Sequence, residues 1–267
     1  MIIIGNDNIE EIFGSKVTIA VLRPLMFRRI CLVRLKKYGG KDQRAPNNSG
    51  IKYGIIFPRN AKEAVQFDKE NGNLLWQNEL LKKLENRMSM KAFEELPSSL
   101  RNAGTKGFQF APLRTIFDVK VDLRRKSRLV IGGHDVDYSG HHFYASTMES
   151  VSARILMTIA AATHLYVVMG NIGIDYLNVN TGEKIYTHAS PDFEVVGIMA
   201  EGCLLEVIKA LNGLPTSGNR WHAHLLHTWR EIDFNPTRSN LDVWIRGCKA
   251  GYDYIGTHTD DVLVVAI

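Results

Sequence analysis

Tyr252-Asp-Tyr-Ile-Gly-Thr-His-Thr-Asp-Asp-Val-Leu-Val-Val-Ala-Ile267 reads as an apolar strand, two acids and a second apolar strand. Tyr252–His258 and Val262–Ile267 are rich in aromatic and β-branched residues and flank Thr259-Asp260-Asp261, which predicts a hairpin with paired carboxylates at its tip. Adjacent acids on a tight turn repel each other, so the pairing costs stability unless a cation neutralises it. Magnesium is the natural neutraliser, being hard, oxygen-seeking and commonly held by one or two carboxylates together with substrate phosphates. Two such ions about 3.5–4 Å apart can clamp the attacking and leaving oxygens of a phosphoryl transfer. An Asp-Asp pair is also common in plain solvated turns, so its meaning depends on the rest of the chain.

Working back from the hairpin, Ser217–Ile232 predicts a helix carrying Trp221, Leu225, Thr228 and Trp229. Leu204–Ile208, Phe193–Val196, Lys184–Thr187 and Leu165–Met169 are strand candidates, the last followed by an irregular segment, and Ser150–His164 predicts a helix. Phe108–Gly133 reads as strand, turn, strand; from Lys106 to Arg128 seven basic residues face two acids, which also suits a solvated sheet edge. Further back, Pro58 opens a helix over Arg59–Phe67, Asn71-Gly-Asn73 breaks it, and a second helix runs from about Leu74 with Leu80, Leu81, Leu84 and Met88 at helical spacing. Residues 1–52 differ: from Lys16 to Lys52 there are ten Lys or Arg against Asp42 alone, with linker-like Gly39-Gly40 and Arg44–Gly50. This segment is expected to be a basic leader or linker, poorly ordered, with a nucleic-acid-binding arm as the sharper alternative.

The bulk properties set loose bounds. A chain of 267 residues, 45% apolar and 23% charged, suffices for one large core or two modest lobes. Its net charge of +5 suits a polyanionic partner without requiring one. Cys31, Cys203 and Cys248 are odd in number and far apart, which argues against a disulfide framework or zinc knuckle and for a reducing compartment. The longest apolar stretch, Ile155–Met169, is interrupted by His164 and is short for a bilayer. A soluble, intracellular protein, cytoplasmic or nuclear, with no membrane partner is the expectation.

Several blocks in order then carry a resemblance. Tyr254-Ile-Gly-Thr-His-Thr-Asp-Asp-Val-Leu-Val-Val265 resembles the catalytic hairpin of copia-type retrotransposon reverse transcriptases. Tyr53-Gly-Ile-Ile-Phe-Pro-Arg-Asn-Ala-Lys-Glu-Ala64 and Asn71-Gly-Asn-Leu-Leu-Trp76 resemble the family's entry into the fingers, and Phe117-Asp-Val-Lys-Val-Asp-Leu-Arg-Arg-Lys-Ser-Arg-Leu-Val-Ile-Gly-Gly-His134 its fingers hairpin. Gly170-Asn-Ile-Gly-Ile-Asp-Tyr-Leu-Asn178, Glu183-Lys-Ile-Tyr-Thr187 and Pro191-Asp-Phe193 resemble the first palm motif. Ala210-Leu-Asn-Gly-Leu-Pro-Thr-Ser-Gly-Asn-Arg-Trp221 is similar to the nucleotide-facing segment before the palm helix, and Asp242-Val-Trp244 falls in place. The resemblance covers roughly residues 53–267.

The resemblance implies an α+β, right-hand polymerase fold with an antiparallel palm sheet backed by helices: fingers at 53–165, palm at 166–267, and no thumb, connection or ribonuclease H segment in this sequence. It implies RNA-directed DNA synthesis from an RNA template, a DNA or RNA primer and deoxynucleoside triphosphates, with two Mg2+ ions and Mn2+ able to stand in. Position by position, Asp260 and Asp261 correspond to palm metal ligands. Tyr176 corresponds to the gate under the deoxyribose. Lys120 and Arg128 correspond to the grip on the incoming triphosphate, a role suited to cations beside phosphoryl charge.

This chain departs from the pattern at the third catalytic position, where Asn171 stands in place of an Asp that bridges both metals. A neutral amide with one carbonyl oxygen replaces neither the charge nor the geometry of a carboxylate. Asp175 stands where the family has a small residue facing the triphosphate; its charge there would repel phosphate, and it is a poor substitute ligand. His258 and Asn212 replace usual Tyr residues, and Pro215 replaces a usual Lys and removes a backbone donor. Metal binding is expected to be weakened and turnover largely lost, as in a degenerate copy. A non-catalytic nucleic-acid-binding remnant and a non-functional transposon-derived fragment are the alternatives.

Other suggestive groups read more plainly. His222, His224 and His227 share a helix without His-Glu-x-x-His spacing and are read as packing and surface residues. His141-His142 is read as a loop, Gly132-Gly133 as a turn, and Trp76, Trp221, Trp229 and Trp244 as core, with Trp221 also a candidate buttress of the template path.

Overall fold

The computed structural model describes residues 17–22, 43–44, 50–97, 107–173 and 175–267. In chain order the strands are β1 (Val17–Leu22), β2 (Gln43–Arg44), β3 (Gly50–Lys52), β4 (Ile55–Phe57), β5 (Phe93–Glu95), β6 (Gln109–Phe110), β7 (Leu113–Val119), β8 (Arg125–Ile131), β9 (Tyr166–Ile172), β10 (Ile185–His188), β11 (Leu204–Val207), β12 (Asn235–Pro236), β13 (Val243–Cys248), β14 (Gly251–His258) and β15 (Asp261–Ala266). The helices are α1 (Ala61–Glu70), α2 (Leu75–Ser89), α3 (Ser150–Thr163), α4 (Pro191–Val195) and α5 (Ser217–Glu231). The α+β class expected from the sequence is observed, with antiparallel pairing everywhere among the described strands except β6 beside β10. The chain forms two compact units: Met1–Lys36 with His142–Val179 and Gly218–Ile267, and Lys37–His141 with Asn180–Ser217. The sequence reading places boundaries at 52/53 and 165/166; the observed division is discontinuous, because the chain leaves the first unit after Lys36 and again after Val179, returning at His142 and at Gly218.

The first unit is a six-stranded sheet in the order β1-β9-β15-β14-β13-β12. Alternation sends successive side chains to opposite faces, and each face receives one helix. Trp221, Leu225 and Trp229, four residues apart on α5, pack with Ile172, Trp244, Ile255, Val262 and Phe234. On the other face Leu156 and Ala160 of α3 pack with Val167, Val243, Leu263 and Val265. Gly256 lies under Met148, whose sulfur occupies the space a Cβ would need. β1 falls inside the expected leader, and its backbone pairs with Val167–Ile172 of β9; the rest of residues 1–49, apart from Gln43–Arg44 and including Cys31, lies outside the described residues. β9 itself runs three residues beyond the expected Met169, because Gly170 and Asn171 have strand partners on both sides and Ile172 pairs with Val17.

The second unit holds the β7–β8 hairpin, helices α1 and α2, and a four-stranded sheet in the order β5-β11-β10-β6. Leu113, Thr115, Phe117 and Val119 alternate inward on β7, and Ser127, Leu129 and Ile131 do so on β8. Trp76 of α2 meets Phe117 edge-on, with centroids 5.7 Å apart. α1 begins at Ala61 rather than Arg59, because the Asn60 side chain accepts from the Glu63 N–H at 2.9 Å and so caps the helix. α2 has Leu74 at its N-cap and borrows a cap instead: the Asp68 carboxylate, 1% exposed, accepts from the N–H groups of Trp76 (3.1 Å) and Gln77 (2.9 Å).

The expected strand at Phe193–Val196 is instead the end of α4 and its C-cap, Val196. Pro191 is preorganised for a first helical turn, and buried Asp192 accepts from Ser190 (2.9 Å) and Thr115 (2.7 Å), fixing the turn. Cys203 and Cys248 are half-buried and free. No helix among the described residues is long and apolar enough to cross a membrane. Removing the borrowed cap by Asp68→Ala is expected to cost about 1–3 kcal/mol in chemical denaturation, with faster amide exchange at Trp76 and Gln77. Asp68→Asn, which keeps one acceptor, should cost less.

Candidate active site

The carboxylate pair is positioned by backbone bonding. β14 and β15 pair from Tyr254↔Val265 to His258↔Asp261, leaving Thr259 and Asp260 as the turn. Asp261 is in register with Asn171 on β9, and the Ile172 N–H donates to the Asp260 carbonyl at 2.7 Å. Asp260 and Asp261 therefore stand at the sheet end beside Asn171, as the hairpin reading requires. The turn is strained: Thr259 sits at φ 57, a left-handed conformation unusual for a β-branched residue. Trp221 holds it there, its indole N–H donating to the Thr259 carbonyl at 2.9 Å while the ring is 1% exposed.

Asn171 contacts both acids. Its Nδ2 donates to Asp260 Oδ2 at 2.8 Å and to Asp261 Oδ1 at 3.1 Å, so one amide bridges both acids. Asn171 and Asp261 are exposed and Asp260 is half-buried. A pair of magnesium ions is held by carboxylate oxygens, whereas here a donor nitrogen points into the space between two acceptors. Among the described residues, no group of three or more His, Cys, Asp or Glu side chains could hold a metal ion. The side chains present do not fit a two-ion site.

The remaining candidates divide between the units. Tyr176 lies in a short 3-10 turn, Asp175–Asn178, and packs half-buried against the Trp221 core of the first unit. The Asp175 side chain lies outside the described residues. The small cavity beside Tyr176 and Trp221, about 80 Å3, is below the size of ligand pockets. Lys120 and Arg128 belong to the second unit, both exposed. Arg128 is in register with Ile116, and strand alternation puts it on the outward face with Arg114 and Lys126. A groove of about 520 Å3 beside the hairpin is lined by Lys52, Tyr53, Lys120, Lys126 and Asp118. Lys52 bonds Asp118 at 2.7 Å. Burial alone would raise the Asp118 carboxyl, but the Lys52 bond, the Val119 N–H and the Lys126 charge outweigh it and hold the group below its ordinary range. Burial, then Arg128 and Lys120, lowers the Lys126 ammonium.

Other features were not foreseen from the sequence. His222 Nε2 contacts buried Asp242 at 2.6 Å and Ser146 Oγ at 3.3 Å. Both contacts use one ring nitrogen, so this is a packing tie between α5 and the β13 approach and not a serine–histidine–acid relay. His141 Nδ1 lies 3.4 Å from buried Glu183. The Asn212 carbonyl accepts from Ile131 at 2.9 Å, and Gly213, at φ 101, lies where a Cβ would collide with the Ile131 carbonyl. The one sequence signal for the strained turn was Thr259 itself, at a two-residue hairpin position that favours Gly or Asn.

Residues 95–267, about two thirds of the chain, match the family described as Reverse transcriptase (RNA-dependent DNA polymerase). No curated protein matches the chain.

Trp221→Phe keeps an aromatic side chain, though a smaller one, and removes the donor to Thr259. It is expected to cost about 1–3 kcal/mol in guanidinium unfolding and to speed amide exchange at Ile172. For Asp118, a lowered folded-state pKa means stability that is present above the unfolded value and lost as pH falls through the folded one. Acid titration below about pH 4 should therefore loosen the second unit in the native chain, and Asp118→Asn should flatten that dependence.

Proposed function

The chain belongs to the reverse transcriptase (RNA-dependent DNA polymerase) family, and from that premise we propose that it is the fingers and palm of a copia-type retrotransposon polymerase, a degenerate copy impaired at Asn171. The observation that carries this reading is the Asp260-Asp261 pair at a hairpin tip in register with Asn171 on the neighbouring strand. On this reading the first unit, a sheet with a helix on each face, is the palm, and the second, with its basic hairpin, is the fingers; residues 1–52 are a basic leader that contributes β1 to the sheet. Asp260 and Asp261 are the remaining family metal ligands, and Tyr176 is the sugar gate. Lys120 and Arg128 grip the triphosphate of a deoxynucleotide, and Asp175 hinders its approach. RNA template and a DNA or RNA primer are the macromolecular partners.

Asn171 supplies neither charge nor a bridging oxygen to a metal pair, so no phosphoryl-transfer step is assigned to this chain's own residues. A second reading, a nucleic-acid-binding remnant without turnover, is favoured by the outward basic face of the β7–β8 hairpin. Its mark is duplex binding whose log affinity falls with log salt by about 0.7–0.9 per phosphate neutralised.

Primer extension on an RNA template with magnesium separates these readings. The chain is joined beyond Ile267 to the corresponding segments of an active family member and compared with Asn171→Asp and with Asn171→Asp plus Asp260→Ala. Asn171→Asp is expected to raise extension by about 10²–10³-fold, and the added Asp260→Ala to abolish the gain. Equal extension by the unsubstituted chain would remove the impairment, and salt-dependent binding without extension by any form would favour the second reading.

A further inference from the structure

We propose that the Asn171 carboxamide takes the place of a cation as the shared partner of the two carboxylates, by hydrogen bonding and without neutralising their charge, so that the Asp260–Asp261 tip is stable without divalent metal and indifferent to it. The two acceptors facing each other across the tip, Asp260 Oδ2 and Asp261 Oδ1, are both taken by one amide nitrogen, at 2.8 and 3.1 Å. An amide NH2 has two protons, one for each carboxylate, and both distances lie within ordinary hydrogen-bond range. Charge fixes the orientation: the flipped amide would set its carbonyl oxygen against two anions. The lock cannot drift, because Asn171 and Asp261 are register partners and the Ile172 N–H holds the Asp260 carbonyl. A cation bridging those same two oxygens would meet the amide protons in its path.

The amide differs from an ion in being covalently attached, so its occupancy has no dissociation constant. An Asp at 171 would reverse the situation, bringing three carboxylates together at the sheet end with no internal donor between them. The metal dependence of folding at this tip is thus set by which residue stands at 171. The inference rests on the reading of Asp260 and Asp261 as the family's carboxylate pair, but its test needs no polymerisation, so failed primer extension and a failed melting experiment are separate results.

Thermal melting of the full chain in EDTA and in millimolar MgCl2 or MnCl2 provides that test. The native chain should melt at one temperature in all three. Asn171→Asp should melt lower in EDTA, by about 3–6 °C, and recover in MnCl2. Asn171→Asp with Asp260→Asn returns an amide to the cluster from the hairpin turn, and should melt near the native temperature and ignore the metal. A native chain stabilised by MnCl2 as strongly as Asn171→Asp overturns the proposal. So does an Asn171→Asp protein that melts at the native temperature in EDTA, or one that MnCl2 fails to rescue. Should Asn171→Asp not fold in EDTA, the double variant decides: a restored cooperative melt supports the lock, and none overturns it.

Discussion

The hydrogen bond from the Ile172 N–H to the Asp260 carbonyl closes the end of the β9–β15 ladder, and the candidate site depends on that register. Side chains alternate along a strand, so a slip of one residue would send Asn171 to the α5 face and bring Ile172 beside the acids. Burial on both sides forbids the slip: Ile172 belongs to the core under α5, and Val167, five positions back, to the core under α3. Each such side chain contributes about 1.5–3 kcal/mol by burial, which makes the register a property of the whole sheet. A polar cluster at the sheet's end is thereby placed by apolar packing away from it.

Trp221 links the same two levels. One edge of the indole fills the core beneath the sheet, and its N–H reaches the carbonyl of the turn residue with the unfavourable backbone. The strained turn and the helix that restrains it are therefore mechanically one object, consistent with strain persisting where its surroundings over-determine it. In the second unit Asp68 does comparable work, its two carboxylate oxygens starting a helix whose own first residues offer no cap.

Much of this was legible because it is periodic. The long helices follow from apolar spacing, the β14–β15 hairpin from two apolar runs around an acidic turn, and the four buried tryptophans from size and hydrophobicity. The failures share a cause in long-range pairing or local capping. Gly170-Asn171 has little strand preference, yet both residues are strand because partners flank them. Phe193–Val196 looks like a strand by composition, but Pro191 and the bonded Asp192 begin a helix before that composition can act. Asn171 itself was visible as a departure, while its bonds to both acids were not, since no spacing rule reports what lies across a sheet from residue 171.

The interleaving of the two units has a consequence for how such a chain can be cut. Its described crossings fall at 141/142, 179/180 and 217/218, so neither unit is a contiguous stretch of sequence. A block of coding sequence cannot be excised to yield one unit intact. A premature stop just after residue 217 would spare every described element of the second unit and strip the first of α5 and β12–β15. Truncation thus falls unequally on the two halves: the basic hairpin would outlast the acidic one.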